Sequence, residues 1–325
     1  MTNPANPGVI GPSAMRPCAM RALAAIGNVN VDIIIGAADP WPRPGTEILV
    51  DHGEVRVGGA AGNTALAWQA TNVPYQIAGN TGSDQFGDWL RQSFPAHCDR
   101  WPVEDTATTF SVGITHPDGE RTFFTIPGHM PLLDLETVQQ SLRIDELEGG
   151  LALICGCYLT DRLVADYPAL FAWLQDHAVE IALDTGWPPS GWTSEIRRRT
   201  RDWLPFCNHL LLNEVEVTSL AEATSIEGAL VLLAELMPQG GTIVVKRGPA
   251  GAVAQRSRDD GTVETVRIAA PNVIPIDTIG AGDVFNAGYL AAVAKGEGLG
   301  CCVTAGVQIA SRAVSTLPRR YDTAE

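Results

Sequence analysis

An α/β fold built on a mostly parallel sheet is what this sequence predicts, and three observations predict it. The runs "LALICGCYL", "VEIALD", "HLLLN" and "GTIVVKRG" are short and continuously apolar, the pattern of strands buried on both faces. Helical stretches at 163–178 and 214–237 separate them, and strand–helix alternation is how parallel strands are connected. At 325 residues, with 45 % hydrophobic and 18 % charged residues, the chain can bury one large domain, with or without a small appendage.

In chain order, residues 1–20, "MTNPANPGVIGPSAMRPCAM", are rich in Pro, Gly and Asn and lack the apolar stretch of a signal peptide. They are expected to be a disordered lead-in, with Met15 or Met20 as alternative starts. Residues 22–35, "ALAAIGNVNVDIII", predict a strand, a break and a second β-prone run. A helix is expected over 64–73, then a strand and turn in "VPYQIAGNTGSD". Two segments, 43–57 and 108–127, alternate apolar and polar residues instead, and the second contains Pro-Asp-Gly, which is hairpin chemistry. They are expected as a small β-sheet that covers a ligand, or as edge strands of the main sheet.

Composition narrows the function classes. The net charge of −15 and a pI near 4.8 argue against nucleic acid or an anionic membrane as partner. No apolar run has membrane-spanning length. The seven cysteines show no zinc-type pair of CxxC knuckles and read as buried free thiols in a reducing cytoplasm.

The segment "VIPIDTIGAGDVFNAGYLAAVAKG" combines a β-prone lead, a tight turn and a helix. Gly280, Ala281 and Gly282 would present backbone N–H groups at the helix N-terminus, an arrangement that binds anions, including one that gains charge during reaction. Asp283, beside such an anion site, is a poor phosphate ligand and a good general base. A capped structural turn would explain the aspartate but not the glycines. GxxxxGK[ST] is missing, as is GxGxxG after the first strand, which disfavours a Walker-type loop and a dinucleotide fold. "GGAAGNTALA", Gly58 to Ala67, pairs glycines that allow close backbone approach with Asn63, which can donate and accept toward hydroxyls. Asn213 and Glu216 in "LLNEVEV" lie three apart on one helical face, where a favourable helix N-terminus is the ordinary explanation. "VVKRGPAGA" carries Lys246, one of only two lysines in the chain, with Gly248 and Gly251.

"DTIGAGD" resembles the C-terminal signature of the ribokinase-like (PfkB) carbohydrate kinase family, DTxGAGD, and "GGAAGN" is similar to its N-terminal signature, GGxxxN. The resemblance runs from about residue 22 to 317 in the right order. It implies a ribokinase-like three-layer α/β fold over 21–320, a mostly parallel central sheet and a small β-sheet lid from about 43–57 and 108–127. It further implies ATP-dependent phosphorylation of an alcohol on a sugar or sugar-like molecule. Carried over to this chain, Asp283 is the base and Gly280, Ala281 and Gly282 form the anion hole. Asp32, with Asn30, Gly59 and Asn63, meets substrate hydroxyls, a role suited to a carboxylate facing vicinal hydroxyls. Asn213, Lys246, Gly248 and Gly251 follow the nucleotide, and Glu216 holds Mg2+ mostly through water.

The lid is expected to choose the acceptor. Arg121, with Arg43 and Arg56, suits an acidic or phosphorylated sugar; Asp32 and Asn63 suffice for a neutral one; Phe110, Phe123 and Phe124 can stack on a base, so a nucleoside kinase is the alternative. A sugar-binding protein without catalysis is a further class, opposed by the intact Asp283. Two departures from the family stand out. "IALDTGWPPSGW" replaces a DxNxR segment, leaving Asp184 alone, and "STLPRR" replaces the usual small-residue ending near Ala313, where with Asp277 relatives can hold a monovalent cation such as K+. A cytoplasmic enzyme, dimeric through its lid strands, completes the expectation.

Overall fold

The computed structural model describes residues 20–117, 121–258 and 260–322. The expected disordered lead-in therefore lies almost wholly outside the described residues, as does the Asp118–Glu120 part of the Pro-Asp-Gly turn.

In chain order the strands are β1 (Leu23–Gly27), β2 (Asn30–Gly36), β3 (His52–Gly58), β4 (Gln76–Ala78), β5 (Thr81–Gly82), β6 (Val103–Glu104), β7 (Phe110–Thr115), β8 (Arg121–Ile126), β9 (Leu151–Cys155), β10 (Glu180–Asp184), β11 (His209–Asn213), β12 (Thr242–Lys246), β13 (Ala252–Ser257) and β14 (Val263–Ile268). Eight of them form the main sheet in the order β14-β13-β12-β11-β10-β9-β1-β4, parallel from β4 to β12 and antiparallel at the β13 and β14 edge. Alternate residues along these strands feed two separate cores. Leu23, Ala25, Leu151, Leu153, Leu211 and Val244 pack under the helices Ala60–Ala70, Ala281–Ala294 and Leu299–Val314. Ile26, Ile154, Ile181, Leu183, Leu212 and Val245 face the helices Tyr167–Asp176, Glu214–Ala221 and Ile226–Ala234. A strand covered on both sides has no solvent face for polar residues, which is why these runs are continuously apolar.

A second, four-stranded sheet has the order β3-β2-β7-β8, with β2 and β7 parallel and the other pairs antiparallel. The two alternating segments thus belong to a sheet of their own. It also takes β2, which the sequence attached to no particular sheet, and within 43–57 only the part from His52 onward is strand, since "RPGTEIL" carries a proline and a glycine that disfavour a ladder. β1 and β2 are consecutive yet lie in different sheets, so the two-residue link Asn28–Val29 ties the sheets together.

Both long helical stretches are interrupted. Pro168, in the first turn of Tyr167–Asp176, has no amide to donate, and the stretch restarts there after a short helix at Asp161–Ala165. Glu222 ends Glu214–Ala221 in a left-handed conformation at φ 56°, and the Ser225 side chain caps the next helix by accepting from Gly228 N. Among the described residues no single helix is long and apolar enough to cross a membrane, and the six cysteines are all free thiols.

The helix that starts at "AGD" is held by its neighbours. Trp68 Nε1 donates to Ala287 O at 2.9 Å, and Thr64 Oγ1 to Asp283 O at 3.1 Å, so the helix of the first glycine-rich signature clamps that of the second. On its other side a Cβ on Gly288 would lie 2.5 Å from Ile309 Cγ2 and 2.8 Å from Ala305 O, so the two final helices touch backbone to side chain. Gly288→Ala is expected to lower stability by ~1–3 kcal/mol through overpacking. Urea unfolding checks this: the midpoint should fall while the slope stays unchanged.

Candidate active site

The carboxyl ends of the parallel strands collect the charged residues. Asp184 ends β10, Asn213 ends β11 and Lys246 ends β12, with Asn213 and Lys246 directly paired in register. Ligand sites of open α/β sheets form at this edge, because the chain leaves the sheet there into loops and helix N-termini.

Lys246 Nζ donates to Asp184 Oδ2 at 2.6 Å and lies 3.4 Å from Asn286 Oδ1, while Asn286 Nδ2 donates to the same Asp184 oxygen at 2.5 Å. Burial disfavours the Lys246 ammonium, but Asp184 and Glu216 outweigh it and the lysine pKa is raised. The acids bear the cost. Glu216 is pushed up to about 7 by burial and by the Asp184 charge, against the pull of Lys246. Asp283 is pushed up to about 6 by burial and by Asp184, with its Asn63 hydrogen bond and Lys246 opposing.

Gly280 caps the helix Ala281–Ala294 at φ 71°, a left-handed conformation that a side chain would strain, and its absent Cβ would lie 2.8 Å from Asn63 Nδ2. Asn63 Nδ2 in turn donates to Asp283 Oδ2 at 2.9 Å. The two glycine-rich signatures therefore meet at one carboxylate. The amides of the first helical turn have no intrahelical acceptors, so those of Gly282 and Asp283 point out of the helix start. A cavity of about 550 Å³ opens beside them, lined by Lys246, Gly248, Gly251, Ala281, Gly282 and Phe285. Ala270, Val273, Val307, Ala310 and Val314 complete its largely apolar wall. Its size and its few convergent polar groups suit a small-molecule ligand.

On the other side of the turn stands the lid. Asp32, on β2, is buried, accepts from Asn30 Nδ2 at 2.8 Å, and is pushed up to about 6 by burial against the hydrogen bond and the Arg56 charge. Gly58 faces it so closely that a Cβ would stand 2.2 Å from Asp32 Cγ. Gly59 caps the helix Ala60–Ala70 but has no side chain to do so, and Asn28 supplies the missing acceptor at 2.9 Å from Ala60 N.

Several of the residues singled out by their motifs also have partners within the chain. Asn30 and Asn63 each spend their amide on a carboxylate, because a buried acid without a donor is costly. Asn213 and Glu216 form a reciprocal capping box, Glu216 Oε2 accepting from Asn213 N and Asn213 Oδ1 from Glu216 N, both at 2.9 Å. Asn213 does not line the cavity, whereas Glu216 belongs to the acid cluster through its charge. Arg121 Nη1 donates to Thr278 Oγ1 at 2.9 Å, and Arg43 is exposed and outside the cluster. Strand alternation turns Phe110 and Phe124 to the face opposite Asp32 and leaves Phe123 on the same face. Asp184, Asn286, Arg319 and Asn28 were not picked out as site residues. "NAGYL" carried no signal for Asn286, and Asp184 stood out only as the survivor of a missing pattern.

Asp277 accepts from Arg56 Nη1, from Arg319 Nη2 at 2.6 Å and from Ile279 N at 2.9 Å, and the net effect is a lowered pKa despite burial. Its charge is met by guanidinium groups, so it does not fit a monovalent cation. A divalent cation is a different case. Among the described residues no three His, Cys, Asp or Glu side chains form a ready-made metal site. Yet Asp184, Glu216 and Asp283 lie close enough to share the charge of Lys246, and burial first, then the Asp184 charge, raises Glu216 and Asp283 toward neutrality among hard oxygen donors. That donor set fits Mg2+ bound through few carboxylates, the remainder of its shell being water and phosphate.

The model of the pfkB family of carbohydrate kinases matches residues 20–319. This chain belongs to that family. The pfkB match makes it a kinase of the carbohydrate class and spans both glycine-rich segments. Ribokinase of Bacillus subtilis (strain 168) is 22 % identical over 303 residues, covering 91 % of this chain and 92 % of the relative. Among solved structures, adenosine kinase from Sinorhizobium meliloti superposes with a TM-score of 0.78 at 22 % identity, covering 94 % of this chain and 97 % of the other. Arabidopsis thaliana ribokinase, solved with ribose and ATP, gives 0.74 at 19 % identity, covering 94 % and 96 %. The ribokinase-like fold is thereby shown, lid sheet included.

The electrostatics of the acid cluster are open to test. Glu216 titrates near 7 in the folded chain and near 4.5 when unfolded, so the folded state holds the extra proton between these values and stability falls as pH rises through them. Glu216→Gln keeps the acceptor for Asn213 N and removes the charge. The ligand-free variant should melt a few degrees above the parent at pH 8, and the gap should close as pH is lowered toward 4.5. Thermal unfolding across that range checks both.

Proposed function

We propose that this chain transfers the terminal phosphoryl group of ATP to a hydroxyl of a sugar or sugar derivative. One observation carries the proposal: the "GAGD" turn separates an apolar cavity on the Gly282 side from Asp32 and the lid on the other, with the Asp283 carboxyl beside it. The cavity takes the nucleotide, its phosphates running toward the helix start. The acceptor lies under the lid, with Asp32 accepting hydrogen bonds from its hydroxyls. Asp283 takes the proton of the attacking hydroxyl, and the Gly282 and Asp283 amides stabilise charge on the phosphoryl group in flight; the Ala281 amide, expected to share this task, donates instead to Thr278 O at 3.2 Å. Asn63 orients the Asp283 carboxylate toward the acceptor side.

Asp184 and Glu216 would hold magnesium, which when bound offsets charge on the phosphates. A pKa near 6 leaves Asp283 ionised at neutral pH yet more basic than an ordinary carboxylate. Phosphoryl transfer depends mainly on positioning and electrostatics, so no covalent enzyme intermediate is needed. The dependence on ATP goes with a cytoplasmic setting. The outer lid face leaves Val55, Phe124 and Ile126 exposed, which supports pairing of lids between two copies. A nucleoside acceptor is the second reading, favoured by Phe123, which lies half-exposed on the Asp32 face where a base can stack.

A coupled assay for acceptor-dependent ADP over sugars and nucleosides tests the proposal; tight binding of both ligands without turnover would favour a binding protein. Asp283→Asn should lower kcat at least ~100-fold with nucleotide affinity nearly intact, whereas retained turnover would remove Asp283 as the base. In the parent enzyme kcat/KM, which reports the free enzyme, should drop as pH falls through about 6. The limb should be steeper than one ionisation, because Asp32 titrates in the same range.

A further inference from the structure

Three arginines from distant parts of the chain converge above the proposed acceptor site. Arg56 sits on β3 directly opposite Asp32, and Arg121 sits on β8 opposite Thr115, so strand alternation puts both on the Asp32 face of the lid. Arg319 comes from the segment after the last helix and donates to Asp277 Oδ2 at 2.6 Å and to Ile279 O at 2.7 Å. All three reach the Asp277–Ile279 stretch that leads into the "GAGD" turn: Arg56 through Asp277, Arg121 through Thr278 and, at 3.9 Å, Asp277 Oδ1.

Their donors are not used up. Arg56 Nε and Nη2 and Arg121 Nε are buried and have no hydrogen-bond partner among the described residues. The Arg56 and Arg121 side chains are 15 % and 20 % exposed, so bulk water does not replace the missing acceptors. Buried donors left unpaired are costly, more so when charged, and each calls for an explanation, of which a bound acceptor is one; other arginines of this chain also keep an unpartnered Nε, and what distinguishes Arg56 and Arg121 is that they share the Asp32 face. Among the described residues the acids nearby are engaged elsewhere. Asp277 is shared by Arg56, Arg319 and Ile279 N, Asp32 accepts from Asn30, and Glu54, 3.8 Å from Arg56 Nη1, is 39 % exposed.

We infer that the acceptor carries an anionic group, a carboxylate or a phosphate monoester, held by Arg56 and Arg121 while Asp32 takes its hydroxyls. This assignment rests on the sugar-kinase reading above and narrows its substrate class to sugar acids and sugar phosphates. A guanidinium with two free N–H groups on adjacent nitrogens presents the fork that an oxyanion fills with paired hydrogen bonds, and Arg56 offers such a pair at Nε and Nη2.

Calorimetric titration of the intact chain without nucleotide tests the inference, using a neutral aldose, the matching aldonic acid and the matching sugar monophosphate. At least one anionic member should bind ten-fold or more tightly than the neutral sugar, and the ranking of acid against phosphate identifies the anion. Arg56→Gln should erase the preference, bringing anionic and neutral members within about three-fold of one another. Arg121→Gln, at the lid margin, serves the same comparison if the first variant misfolds. A neutral sugar that binds as tightly as both anions, or a panel in which no member binds, overturns the inference. Acceptor-dependent ADP formation is scored separately: an anion preference in binding with no turnover leaves this inference standing and removes the kinase reading.

Discussion

One ammonium group among three carboxylates, at the carboxyl edge of the main sheet, is the constraint on which the site depends. Lys246 neutralises Asp184 directly and Glu216 and Asp283 only in part, and burial then pushes these two acids toward their protonated forms. In water such a cluster would disperse. Here β10, β12 and the helices Glu214–Ala221 and Ala281–Ala294 carry the groups; the sheet ladder fixes the strands, the helix Glu214–Ala221 follows directly on β11, and Trp68, Gly288 and Ile309 pack Ala281–Ala294 in place. The fold supplies the energy to hold like charges together, and a strained, partly neutralised acid cluster is what a proton acceptor and a divalent cation site both require.

Missing side chains matter as much as charged ones. Gly58 admits the Asp32 carboxyl and Gly280 admits Asn63, and each carboxylate is then steadied by one asparagine. The two acids are built on the same plan, a glycine that makes room and an amide that donates, although one stands on the lid and the other on a helix of the main layer. Their shared pKa near 6 follows from shared surroundings. Asp32 also adds a small part of the upward shift of Asp283, which places the two acids within electrostatic reach.

The main sheet and its mostly parallel character were legible because burial on both faces leaves continuous apolar runs, whereas the alternation in 43–57 and 108–127 left a separate sheet and edge strands both open, and the family resemblance chose the lid. The Gly280–Asp283 turn was legible because its geometry demands particular small residues in sequence. What escaped was non-local. β2 reads like any buried strand, and its membership of the lid depends on pairing with β3 and β7, which local periodicity does not encode. Asn286 lies on a helix face that looks apolar throughout, and its partner Asp184 is 102 residues away. Arg319 followed a proline in a segment that departed from the family, and only the fold reveals that it meets Arg56 at Asp277. Asn213 and Glu216 show the opposite case: a motif with an assumed ligand role that locally satisfies helix capping, with the charge of Glu216 alone left over for the site.

A chain of net charge −15 must still attract anions if it handles phosphates, and the distribution of its charges shows how. The cavity side of the turn is acidic, so on the proposed reading a bare triphosphate approaching Gly282 would meet repulsion from Asp184, Glu216 and Asp283, opposed among the described cavity-lining residues by Lys246. On the proposed reading, a triphosphate carrying a divalent cation would be favoured over a bare one at the same carboxylates. Across the turn the sign reverses, with Arg56, Arg121 and Arg319 gathered where few waters reach them. Screening is weak in such a setting, so these three local charges outweigh a larger but solvated and distant surface charge. The helix start stands at the boundary between the two fields, and its backbone donors, like the side-chain amide of Asn63, carry a partial charge that no proton can alter.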